Sequence, residues 1–185
     1  MSFSLISRLV NGIKGGIVTA LRGKRNTSGN IVKVTKNITV SVLKETGKFA
    51  KGSLNVPAST INGALVGISE IGISVSSAVR GVINGTVQGL KESGYEHDVA
   101  VKGAVAQSLH SAKNLRLDIG KTASESVNGA VEAVKQVGGD TVEATEVGVI
   151  TAINTAKDFG DDVVKTVKNS LSKGVKGAKN IIDSL

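Results

Sequence analysis

The sequence predicts an all-α repeat protein on three observations: like residues recur every 22 positions, apolar residues within each period step by three and four, and Gly with a helix-capping residue separates the periods. Units beginning at Ile6, Ser28, Ala50, Gly72, Gly94, Arg116, Gly138 and Gly160 align along nearly the whole chain. Position 16 is aliphatic in every unit: Leu21, Leu43, Leu65, Val87, Leu109, Val131, Ile153 and Val175. Position 12 reads Ile17, Ile61, Ile83, Val105, Val127, Val149 and Leu171, and departs only at Thr39. The expected architecture is a single repeat region over 1–185, with eight degenerate 22-residue units as successive amphipathic helices joined by short turns. Such units form a helical array, a solenoid or an elongated bundle. Residues 1–30 and the unit containing Pro57 diverge most from the pattern.

Spacing decides helix against strand. Positions 4, 8, 12, 15, 16, 19 and 22 are mainly apolar or small, which lines one face of an α-helix, whereas a strand requires steps of two. At about 3.67 residues per turn the unit closes on a whole number of turns, so the apolar stripe stays in phase. Position 1 is Gly72, Gly94, Gly138 and Gly160 in four units, and position 3 is Asn30, Ser74, Asp118, Asp140 or Asp162 in five. Gly past a helix end followed by a side-chain cap stops one helix and starts the next. Pro57, after Asn55, suits a first helical turn. Each unit then holds a helix of about 17 to 19 residues, roughly 26 Å long. The alternative is a β-solenoid with 22-residue rungs, suggested by Asn-Gly at 62, 84 and 128 and by IVKVTKNITVSV at 31–42.

Composition bounds the function. Aromatic residues are 2%, Trp and Cys are absent, and the hydrophobic fraction is 40%, so Val, Ile, Leu and Ala must supply whatever apolar surface is buried. That surface goes either inside the protein or against another phase. A net charge of +8 attracts anions such as lipid headgroups, nucleic acid or an acidic partner. Without Cys there is no disulfide and no thiolate metal site, which fits a reducing cytoplasm. Arg8 and Lys14 interrupt the apolar N-terminus, so no signal peptide is expected. No uninterrupted apolar run reaches about 18 residues, so membrane contact is expected to be peripheral. The expected location is cytoplasmic, with peripheral attachment to a membrane or granule.

Two borders flank the apolar face. Position 9 carries Lys14, Lys36, Arg80, Lys102 and Lys168, and position 20 carries Arg25, Lys91, Lys113, Lys135, Lys157 and Lys179. Long aliphatic stems on such a border extend the apolar face while the charge reaches water or phosphate. The surface-binding residues expected are Lys91, Lys102, Lys113, Lys135, Lys157, Lys168 and Lys179. Positions 7 and 18 are small, and Gly67, Gly89, Ala100, Ala133, Ala144 and Gly177 are expected to let helices approach closely. No converging catalytic groups are visible. His97 and His110 have no carboxylate at metal-ligand spacing, and no cofactor or small-molecule substrate is expected. With four aromatic residues in all, no stacking platform exists for nucleic acid; charge alone would hold it, through Arg22, Lys24 and Arg25.

The 11-residue rhythm, the 22-residue punctuation and the lysine-bordered apolar face resemble the amphipathic repeats of exchangeable apolipoproteins, perilipins and bacterial granule-coating proteins. The resemblance implies a non-enzymatic peripheral coat on an anionic lipid or polymer surface. Gly in place of Pro at the unit boundaries suggests a second reading, a self-assembling homo-oligomer whose helices pack through Gly/Ala seams.

Overall fold

The helix stops that recur every 22 residues are left-handed turns. Gly72, Gly94, Arg116, Gly138 and Gly160 all have positive φ and stand in that register. In three of these turns the next residue folds back: Tyr95 N–H donates to the Leu90 carbonyl, Leu117 to Ala112 and Gly139 to Val134. These are Schellman closures, which satisfy carbonyls that a helix end leaves unpaired. The next helix opens on a cap. Asp118 accepts from the Lys121 N–H at 2.9 Å, and Asp140 accepts from Val142 at 2.8 Å and Glu143 at 3.1 Å. Ser74 holds the same position without a side-chain bond. Asp162 lies inside the first turn after Gly160, where a carboxylate suits the helix dipole, and Asn30 lies within a helix.

A computed structural model describes residues 2–23, 27–46 and 55–185. The unit start at Ala50 and the cations Lys24 and Arg25 fall outside them. The described residues form α1 (Ser2–Leu21), α2 (Thr27–Thr46), α3 (Asn55–Glu70), α4 (Val75–Glu92), α5 (His97–Asn114), α6 (Ile119–Gln136), α7 (Thr141–Lys157), α8 (Asp161–Gly174) and α9 (Ala178–Asp183). No strand occurs among them, so the fold is all-α and the β-solenoid reading is set aside. The segment 31–42 lies within α2, and the three Asn-Gly pairs lie within α3, α4 and α6.

Each helix packs against those one and two places away in the chain. Odd-numbered helices form one layer and even-numbered helices the other. Within a layer neighbours run parallel: Gly63 lies over Val10 and Ile13 while Gly67 lies over Lys14 and Ile17, and Gly81, Gly85 and Gly89 climb α2 from Ile31 to Thr39. From α3 to α8, helices consecutive in sequence reverse direction through short turns, and Ser108 of α5 bonds Ser126 of α6 at 2.6 Å across one such pair. The result is a two-layered helical solenoid.

The glycines explain why the Asn-Gly pairs are not hairpin turns. A β-carbon on Gly85 would overlap the Val32 carbonyl oxygen, and one on Gly129 would overlap that of Arg80. Here Gly permits backbones to touch rather than turn. Between the layers lies the aliphatic core. All eight position-12 residues, from Ile17 to Leu171, have zero exposure. Thr39, the polar exception, turns its hydroxyl back to the Thr35 carbonyl at 2.8 Å and so needs no other partner.

The eighth unit departs from one helix per unit. After α8, Val175 is extended and Gly177 adopts φ 84 at the start of α9. The break turns the chain so that α9 packs on α7 and α8, burying Ala178 completely.

Candidate interaction surface

Position-9 cations are used inside the array in its first half. Lys14 of α1 pairs with Glu70 of α3 at 2.9 Å, and Lys36 of α2 with Glu92 of α4 at 2.8 Å. Arg80 of α4 reaches Glu125 at 2.7 Å and Glu132 at 3.2 Å on α6. All of them join parallel neighbours in one layer. The Lys36 hydrogen bond, then the charges of Lys36 and Lys44, hold the Glu92 carboxyl below its ordinary value. Lys102 pairs along its own helix with Asp98 at 3.7 Å, and Lys168 is half-buried on α8.

Position-20 lysines stand at helix ends. Lys91, Lys113, Lys135 and Lys157 occupy the last turns of α4, α5, α6 and α7, where a cation offsets the negative end of the helix dipole. Successive helices are antiparallel, so Lys91 and Lys135 lie at one edge of the solenoid and Lys113 and Lys157 at the other. The seven lysines expected on one binding border are therefore not brought together. Lys113 also lies 4.6 Å over the Phe159 ring, which His110 meets edge-on at 5.2 Å. Lys157 donates to Asn154 at 3.0 Å, and Lys179 is exposed on α9.

Of the small residues expected in seams, Gly67 abuts the Lys14 carbonyl and Gly89 the Lys36 carbonyl, while Ala100, Ala133 and Ala144 are buried. Gly177 lies instead in the exposed turn before α9, where its positive φ is its reason for being Gly. Gly63, Gly81, Gly85 and Gly129 also form seams, and sequence reasoning missed them. For the first three the signal was the four-residue spacing of Gly63 with Gly67 and of Gly81, Gly85 and Gly89, which Gly129 lacks.

Exposed positive charge gathers at the N-terminal end. Residues 1–46 hold eight Lys or Arg and one acid, Glu45, whereas 55–160 hold eight Lys or Arg and eleven acids. At about 100° per residue, Arg8, Gly12, Gly15, Thr19 and Arg22 share one line of α1, opposite the Val10, Ile13 and Ile17 side that meets α3. All five are exposed. Lys33, Asn37 and Lys44 form the matching exposed line on α2, away from the α4 seam. Neither Arg8, Arg22, Lys33 nor Lys44 stands in an ion pair among the described residues. Between the two helices runs an open groove of about 270 Å³, with Leu9, Ile13, Ile38 and Val42 on its walls and Arg8 and Glu45 at its rim.

Histidine serves packing here. The His97 ring fills the space a β-carbon on Gly139 would need, 2.6 Å from its Cε1. Among the described residues no group of His, Asp and Glu could hold a metal ion, and no helix is long and apolar enough to cross a membrane. Compared with known proteins, the chain matches no family model and no curated sequence.

Proposed function

We propose that the protein is a non-enzymatic structural or interaction protein, a helical scaffold that keeps its apolar faces inside and meets partners through charged surface. The burial of its aliphatic positions carries this reading. Every position-12 side chain is fully buried, and the exposed large aliphatics among the described residues are Val99, Val137, Val142 and Leu185.

A coat in which each helix lays its apolar face on a lipid or polymer surface needs those faces free. In this fold they face one another, so such a coat would require the array to open. End-to-end stacking of copies is opposed by like charge. The N-terminal face presents Arg8, Arg22, Lys33 and Lys44, and residues 161–185 are also net positive, with five Lys against three Asp and Lys165 paired to Asp162.

Far-ultraviolet circular dichroism in buffer, with and without anionic vesicles, tests the scaffold. The expected result is full helicity in buffer with little change on adding vesicles. A chain that is mostly unstructured in buffer and gains its helix on vesicles would replace the scaffold by the opening coat.

A further inference from the structure

We propose that the N-terminal end of the solenoid, the face made by α1 and α2, docks on an anionic phospholipid bilayer. The charge there is concentrated rather than spread. Its cations are exposed, and Arg8, Arg22, Lys33 and Lys44 form no ion pair among the described residues, Lys44 acting on Glu92 only by charge at longer range. On these two helices Lys14 and Lys36 are consumed by Glu70 and Glu92, while cations without an ion pair farther along, such as Lys121 and Lys135, stand in a stretch where acids outnumber bases.

The relief of this face suits a headgroup layer. Beyond the helix's own backbone, no described residue lies within 4 Å of where β-carbons on Gly12 and Gly15 would stand, so at those two positions the α1 backbone is open. Headgroups can therefore come close to the helix while the arginine stems lie along it and their guanidinium groups reach phosphate. Beside that line runs the open groove, apolar at the half-buried Leu9 and Ile38 and polar at Arg8, Ser41 and Glu45. Among the residues of this face whose side chains are described, none is aromatic, so a stacking platform for single-stranded nucleic acid is lacking there. A second copy stacked end to end would bring cations against cations.

Sedimentation with vesicles tests the assignment. Wild-type protein should co-sediment with vesicles of phosphatidylcholine plus phosphatidylserine, stay in solution with phosphatidylcholine alone, and be released as salt rises from about 0.1 to 0.5 M. The variant Arg8→Glu/Arg22→Glu/Lys33→Glu/Lys44→Glu should lose about a hundredfold or more in partitioning. A control of equal charge change, Lys113→Glu/Lys135→Glu/Lys157→Glu/Lys179→Glu, should keep binding within about tenfold of wild type. No binding to the anionic vesicles, or an equal loss in both variants, overturns the proposal. So does duplex DNA that stays bound in the presence of excess anionic vesicles. Should the Glu variant lose helicity, the Gln series at the same four positions, checked by circular dichroism, decides in its place. Helicity of the wild type in buffer is read separately, so failure of this docking face is distinguishable from failure of the scaffold.

Discussion

Gly85 of α4 lies against the backbone of α2 so closely that a β-carbon would overlap the Val32 carbonyl oxygen and stand 2.8 Å from the Thr35 β-carbon. Neither neighbour can yield cheaply, because one is backbone and the other is a β-branched residue in a helix. Gly85→Ala should therefore destabilise the fold by about 2 to 3 kcal/mol despite the better helix propensity of Ala. Gly103 provides the contrast. It too is helical, but its β-carbon would meet only Pro57, at an ordinary 3.9 Å. Gly103→Ala should be neutral or stabilise by about 0.5 to 1 kcal/mol, and urea unfolding of the pair reads the difference.

Arg116 holds φ 56 in a position that Gly takes in the four other turns of the register. An L side chain there costs about 1 to 2 kcal/mol, while Gly loses more freedom on folding. Arg116→Gly should leave a net stabilisation of about 0.5 to 1 kcal/mol, seen as a higher Tm. Gly94→Ala, the reverse change, should lower it. A Tm that fell in Arg116→Gly would mean that the arginine makes a contact worth more than the strain.

The Lys36–Glu92 pair makes stability depend on pH in one direction. The Glu92 carboxyl is held below its ordinary value of 4.5, so its contribution is complete above that value and disappears as pH falls through the lower folded pKa. Denaturant midpoints of wild type and Glu92→Gln should differ near neutral pH and converge as the solution is acidified through the lowered folded pKa of Glu92. A gap that stayed constant with pH would show that the pair contributes through packing.

Much of the helix pattern was legible because it rests on local chemistry. Position 12 declares itself aliphatic in seven units, and the eighth, Thr39, is tolerated because a helix offers its hydroxyl a carbonyl one turn back. Gly72, Gly94, Gly138 and Gly160 declare the stops, since left-handed turns favour Gly. The N-terminal register slips: α1 ends before Gly23, and α2 begins at Thr27, ahead of the expected unit start at Ser28.

What stayed hidden depends on which helices become neighbours. Asn84-Gly85 has the composition of a hairpin turn, and only the arrival of α2 makes its glycine a seam. The partner of Lys14 is Glu70, 56 residues on, and nothing local to either announces it. Likewise the position-20 lysines look like one stripe on a helical wheel, yet antiparallel succession sends them alternately to opposite edges. The candidate face escaped notice for a related reason. Its residues form a surface only once α3 and α4 have claimed the other sides of α1 and α2.

Because each helix rests on its predecessor's predecessor, the natural quantum of growth or loss is a pair of units. Excising two would rejoin like layer to like layer, leaving every downstream helix pointing as before. Excising one would transplant everything beyond the cut into the wrong tier with its polarity inverted, setting glycine notches against flanks that were never shaped for them.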